Sequence, residues 1–174
     1  MRRLMLLRHA KSDWSGGQRD HDRALAPRGT RAAPLIGAYM AQEDLLPDRV
    51  LVSTARRTQE TWALVKDTWP EAPPMTLDER IYEASAKRLL DIVRHADAEA
   101  RSLLMIGHNP GFEELAQLLT GGRDKEPHRR LAEKFPTAAL AVIDLPVDRW
   151  ADIIPQAGQL ERFVTPGGLD AGCD

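Results

Sequence analysis

A single cysteine, Cys173, stands in a chain of 174 residues. One thiol excludes an internal disulfide framework and any cysteine-based zinc site. It also excludes a cysteine phosphatase, whose thiolate needs an arginine several positions downstream; only Asp174 follows Cys173. A reducing compartment, and hence a cytoplasmic location, is the expectation. Long apolar runs are missing too. No window approaches the ~20 continuous apolar residues that span a bilayer. Met1-Arg2-Arg3 followed by Leu4 to Leu7 has the charge order of a signal peptide. That apolar run meets Arg8, His9 and Lys11 at once, too soon for a signal core, and fits a buried strand instead. Nor is there an excess of charge of one sign. With 24 Lys and Arg against 26 Asp and Glu, the net charge of −2 offers no general attraction for nucleic acid or an anionic membrane, and neither is an expected partner. The Arg129-Arg130 pair is too short for a nucleic-acid tail and fits a solvated surface. Repeats, low-complexity tracts and linkers are absent, so one domain over residues 1–174 is expected.

What is present alternates short apolar runs with helical periodicity, the pattern of an α/β domain. Strands are expected at Leu4–Leu7, Val50–Val52, Leu103–Ile106 and Ala138–Ile143. A first helix is expected after Thr30, with Pro34 in its early turn and Ala32, Ile36, Tyr39 and Met40 as its apolar stripe. A second carries Thr58, Trp62, Val65 and Trp69 on one side and is stopped by Pro70, Pro73 and Pro74. A third spans about Ser85 to His95. The fourth has Asn109-Pro110 as cap and first-turn proline and ends at Gly121-Gly122. The polar stretch from Lys11 to Ala26 is expected to be a long loop, mobile or functional.

Three of the strands end in the same kind of chemistry: Arg8-His9-Ala10-Lys11-Ser12, then Ser53-Thr54-Ala55-Arg56-Arg57-Thr58, then Gly107-His108-Asn109-Pro110. Ligands of open α/β sheets gather at the carboxyl ends of strands, so two histidines and two or three arginines are expected to converge there. Two of these segments open helices, whose free N–H groups favour anions. Each element alone has a bland explanation: a structural histidine, a solvated arginine pair, a helix cap. Their threefold repetition points to a phosphate site. Asp20-His21-Asp22 has the letters of an aspartyl-phosphate motif but no apolar strand before it; it is read as a mobile polar loop, with a cation site as the lesser alternative. No Gly-rich loop ending in Gly-Lys-Ser/Thr is present, which argues against a P-loop nucleotidase. His9 and His108 lack the local ligands a catalytic metal needs, so no metal and no cofactor are expected.

Arg8-His9-Ala10, Ser53-x-x-x-Arg57-Thr58-x-x-Thr61 and Gly107-His108-Asn109-Pro110 together resemble the signature of the histidine phosphatase superfamily, the phosphoglycerate-mutase-like enzymes. The wording is nearest to SixA-type phosphohistidine phosphatases: Arg8-His9-Ala10-Lys11-Ser12, Asp20-His21-Asp22-Arg23-x-Leu25, Arg28-Gly29, Ile81-Tyr82-Glu83-Ala84 and Phe135-Pro136-Thr137 share that character. The resemblance implies an α/β fold of three layers, with a mixed, mostly parallel sheet between helices. It implies His9 as nucleophile, forming a phosphohistidine intermediate that water hydrolyses, and Arg8, Arg57 and His108 as binders of the phosphoryl oxygens. Ser12 joins them as a substrate-binding residue. Glu79, in Leu77-Asp78-Glu79-Arg80, takes the place of the general acid of mutase-like members, with Glu83 behind it. SixA-like members match that stretch poorly, which leaves a surface carboxylate as the other reading of Glu79. Ala10, where mutases carry glycine, and the short chain argue against a mutase. The expected substrate is a phosphorylated protein carrying phosphohistidine. A small phosphomonoester and a non-catalytic phosphate-binding module are the alternatives.

Overall fold

The structure is a computed structural model and describes residues 1–122 and 125–171; Cys173 lies outside them. The strands are β1 (Arg2–Arg8), β2 (Arg49–Val52), β3 (Met75–Leu77), β4 (Ser102–Gly107), β5 (Thr120–Gly121), β6 (Leu140–Leu145) and β7 (Gly158–Val164). They form one sheet in the order β3-β2-β4-β1-β6-β7-β5. β3, β2, β4 and β1 run parallel, β6 runs antiparallel to both neighbours, and β5 is parallel to β7. The sheet is mixed and mostly parallel, as the family resemblance implies.

β1 lies at its centre, and Leu4 to Leu7 are all buried. A strand covered on both faces reads as an unbroken apolar run, which is why this segment has no polar alternation. Its side chains still alternate in direction. Leu4 and Leu6 join one core cluster, with helices α3 (Ala86–Arg94), α4 (Gly111–Leu119) and α5 (Glu126–Glu133). Met5 and Leu7 join the other, with α1 (Pro27–Gln42) and α2 (Arg56–Lys66). α6 (Pro166–Ala171) lies beside α1.

Several boundaries differ from the sequence expectation. α1 starts at Pro27, a proline at the first helical position, and not after Thr30. Its first turn presses on the exit of β1: a Cβ on Gly29 would lie 2.2 Å from the carbonyl oxygen of Lys11. α2 stops at Lys66, and Trp69 lies beyond it, edge-on to Trp62 with ring centroids 5.5 Å apart and its indole N–H donating to the Gly37 carbonyl. Asn109-Pro110 is a cis peptide, and Pro110 caps α4 from outside its first turn. The Asn109 side-chain oxygen accepts from the Glu113 N–H at 3.2 Å. α4 closes at Leu119, because Thr120 and Gly121 turn into the sheet beside β7. The loop from Lys11 to Ala26 is tied down: Ser12 bridges Leu25, a 3₁₀ turn forms at Asp20–Asp22, and the Leu25 N–H donates to Glu60 at 2.8 Å. No described helix is long and apolar enough to cross a membrane.

Candidate active site

Strand register assembles the site. Arg8 pairs with Gly107 across β1 and β4, so His9 and His108 leave the sheet side by side. Val52 pairs with Ile106, which places Ser53 next to Gly107. The His9 and His108 rings are 5.4 Å apart, tilted by 53°. Gly107 has to be bare here, since a Cβ would meet the Phe112 ring at 2.6 Å. A cavity of about 250 Å³ opens on these groups, lined among others by Arg8, His9, Ser12, Arg57 and His108. Four of the five sequence candidates for catalysis are thus together, with Ser12 beside them.

Hydrogen bonds assign the imidazole tautomers. His9 Nδ1 lies 2.8 Å from the Ala10 carbonyl, which can only accept, so Nδ1 carries the proton and Nε2 keeps its lone pair. His108 Nδ1 lies 3.4 Å from an Arg57 nitrogen, which can only donate. Its Nε2 therefore carries the proton and donates to the Ser53 hydroxyl at 2.8 Å. Both rings are neutral. Burial, reinforced by Arg57, Arg8 and Arg23, pushes His9 down to about 3. Burial, His9 and Arg57 push His108 down to about 3 as well.

The second motif supplies the scaffold. The Thr58 hydroxyl donates back to the Ser53 and Ala55 carbonyls and closes the first turn of α2. The Thr61 hydroxyl donates to the Arg57 carbonyl and accepts from the Ala10 N–H at 3.0 Å, so α2 is fastened to the residue after His9. Arg8 donates to the Phe135 carbonyl at 2.9 Å. The Nε groups of Arg8 and Arg57 are buried without a hydrogen-bond partner among the described residues. Buried donors of this kind cost free energy unless an acceptor arrives, and a phosphoryl oxygen is such an acceptor.

Glu79 is placed elsewhere. It is exposed, in a 3₁₀ turn at Glu79–Ile81, and is not among the residues lining this cavity; Glu83 is exposed too. The carboxylate that does line the cavity is Asp20, to which sequence reasoning gave no part in catalysis or phosphate binding. Asp20 accepts from the Tyr82 hydroxyl, from Arg57 at 3.1 Å and from Arg23 at 3.1 Å. The Tyr82 hydrogen bond, followed by the arginines, holds Asp20 down at about 2. Burial and the Asp20 hydrogen bond raise Tyr82 to about 12. Arg23 is buried, donates to the Ser12 hydroxyl at 2.8 Å and stacks 3.4 Å from the centroid of exposed Trp14. The signal for Asp20 and Arg23 was present in the Asp20-His21-Asp22-Arg23 wording, but spacing alone gives no reason for a loop to fold onto Arg57. Among the described residues no group of three His, Cys, Asp or Glu is arranged to hold a metal ion.

A mixed α/β sheet whose strand ends gather two neutral imidazoles and several guanidiniums around a small cavity is the architecture of a phosphoryl-group enzyme. Residues 4–133 match the family described as the histidine phosphatase superfamily (branch 1), and the chain belongs to that superfamily. It is 37% identical over 162 residues to the uncharacterized protein Rv1276c of Mycobacterium tuberculosis strain H37Rv, covering 92% of this chain and 99% of that one. A crystal structure from Agrobacterium tumefaciens, described as a candidate phosphohistidine phosphatase SixA, superposes with a TM-score of 0.80 at 30% identity, covering 95% of this chain and 98% of that chain. The protein histidine phosphatase SixA complexed with tungstate shares the fold, with a TM-score of 0.79 at 20% identity over 96% of this chain and 99% of that chain. The chain is a phosphatase of SixA-like architecture.

Proposed function

We propose that the protein hydrolyses phosphohistidine on proteins through a phosphohistidine enzyme intermediate at His9, without a metal. In the first step the Nε2 lone pair of His9 forms a bond to phosphorus and the bond from phosphorus to the substrate's ring nitrogen breaks; that ring, carrying a solvent-derived proton on its other nitrogen, leaves as neutral imidazole. In the second, a water oxygen attacks the phosphorus, the bond to Nε2 breaks, and inorganic phosphate and neutral His9 are regained. Arg8 and Arg57 bind the nonbridging oxygens in forks that keep their charge. They also disfavour protonation of His9, which must be neutral to attack. When the dianion enters, its charge offsets that of the arginines, and His108 can then take up a proton from solvent on Nδ1 and donate to it. Positioning and charge compensation supply most of the catalysis in such a transfer.

The observation that carries the substrate choice is the state of the cavity's acid. Asp20 lines it, and with a pKa held at about 2 it has no proton to give at neutral pH. An alkoxide leaves badly without a proton. An imidazole is a far better leaving group, so phosphohistidine fits this cavity and a sugar or serine phosphate fits it less well. One core on each face of one sheet also supports reading the chain as one domain.

The test compares a histidine-phosphorylated protein, phosphoserine and a sugar phosphate under one set of conditions, with and without chelator. The expected result is preference for phosphohistidine, indifference to the chelator, and a loss of at least ~10³-fold for His9→Ala. Unchanged turnover by His9→Ala removes the nucleophile, and preference for a sugar phosphate removes the substrate.

A further inference from the structure

A second cavity, about 370 Å³, adjoins the catalytic one and shares Lys11 and Thr137 with it. One wall is the first turn of α1, bringing Arg28; the other is the end of α5 and the residues after it, bringing Arg130, Glu133 and Lys134. Four cations therefore face one carboxylate, in a chain whose overall net charge is −2. Arg28, Lys134 and Lys11 are exposed and make no ion pair among the described residues, while Arg130 has Glu126 at 3.9 Å. The floor is apolar, with Phe163, Pro136 and Ala32.

We infer that this cleft holds an acidic segment of the substrate protein next to its phosphorylated side chain. This rests on the phosphohistidine reading above. The catalytic cavity, at about 250 Å³, has room for the phosphoryl group and the ring that carries it, so the rest of a protein substrate lies outside. The Lys11–Thr137 edge leads from one cavity to the other. Cations over an apolar floor match a polypeptide carrying both carboxylates and aliphatic side chains. A small, fully hydrated anion has no use for the floor. Complementary charge of this kind acts mainly on encounter and selection and weakens with salt.

The experiment uses the Arg28→Glu, Lys134→Glu double variant. Neither residue lines the catalytic cavity. Three substrates are compared: free phosphohistidine, a phosphohistidine peptide flanked by Asp and Glu, and the same peptide flanked by Lys. The wild type is expected to prefer the acidic peptide. In the variant the KM for that peptide should rise on the order of tenfold with kcat held, while free phosphohistidine is turned over as before. An unmoved KM, or equal losses on peptide and free phosphohistidine, overturns the assignment. So does a variant that loses only a small bisphosphate, since another ligand then fills the cleft. Should neither protein hydrolyse phosphohistidine, the function proposed above fails, and calorimetry with the unphosphorylated acidic peptide still reads the cleft. Weaker binding by the variant supports it; equal binding, or none, overturns it.

Discussion

At the scale of single residues, the two histidines are alike in charge and opposite in tautomer. His9 gives its Nδ1 proton to the Ala10 carbonyl and exposes Nε2; His108 gives its Nε2 proton to Ser53 and accepts from Arg57 through Nδ1. With both lowered to about 3, neither ring should take up a proton between about pH 5 and 8, the range in which an ordinary histidine titrates. Imidazole NMR across that range tests this, and a midpoint near 6.5 for either ring contradicts it. Asp20 makes a second residue-scale prediction. Its carboxylate sits on Arg57, inside the cavity to which the proposed reaction assigns the phosphoryl dianion, so on that reading like charges compete for one guanidinium. Asp20→Asn keeps an acceptor for Tyr82 and removes the repulsion. Inorganic phosphate should then inhibit several-fold more strongly, about 1 kcal/mol for one partly exposed charge. An unchanged inhibition constant would mean that Asp20 and the phosphoryl group do not meet.

At the scale of elements, what was legible followed from periodicity and what was not followed from long-range contact. Leu4–Leu7 and Leu103–Ile106 declare themselves as apolar runs, and their parallel register brings the Arg8-His9 and Gly107-His108 motifs together. β3 is a three-residue strand, and all three residues are exposed, so no apolar pattern marks it. α5 has only His128 and Leu131 buried, too few for a stripe. Asp20 and Arg23 belong to no periodic segment and acquire meaning only when Tyr82, about 60 residues away, supplies the hydroxyl that holds the loop. The end of α1 offers a stability test separate from the chemistry. Asp44 has φ +57°, and the Leu45 N–H donates to the Met40 carbonyl at 2.8 Å, the closing bond of a glycine-type helix terminus. A left-handed conformation costs a side-chain-bearing residue about 1 kcal/mol. Asp44→Gly should therefore raise Tm by a few degrees and leave kcat/KM alone, as a melting curve and an assay will show. A fall in Tm would mean that the Asp44 side chain contributes more than the strain costs.

At the scale of the whole molecule, the active site sets how stability responds to acid. In the unfolded chain both histidines titrate near the ordinary value of about 6.5. In the fold they are held at about 3. Between those values the unfolded chain binds two protons that the native structure refuses, so stability is fully present above about pH 6.5 and is lost as pH falls toward 3. Asp20, lowered from 3.8 to about 2, adds stability that is present above its unfolded value and disappears at still lower pH. The window from about pH 6.5 to 4.5 therefore belongs to the imidazoles. There Tm should drop by several degrees, and His108→Asn should flatten the slope by removing one of the two groups. A tetrahedral oxyanion bound between the arginines offsets their charge and makes imidazolium less costly, so saturating tungstate should flatten it as well. A wild-type Tm that is level across this window would show that His9 and His108 are not held neutral by burial and the arginines, and with that the electrostatic basis for nucleophilic attack by His9 would be gone.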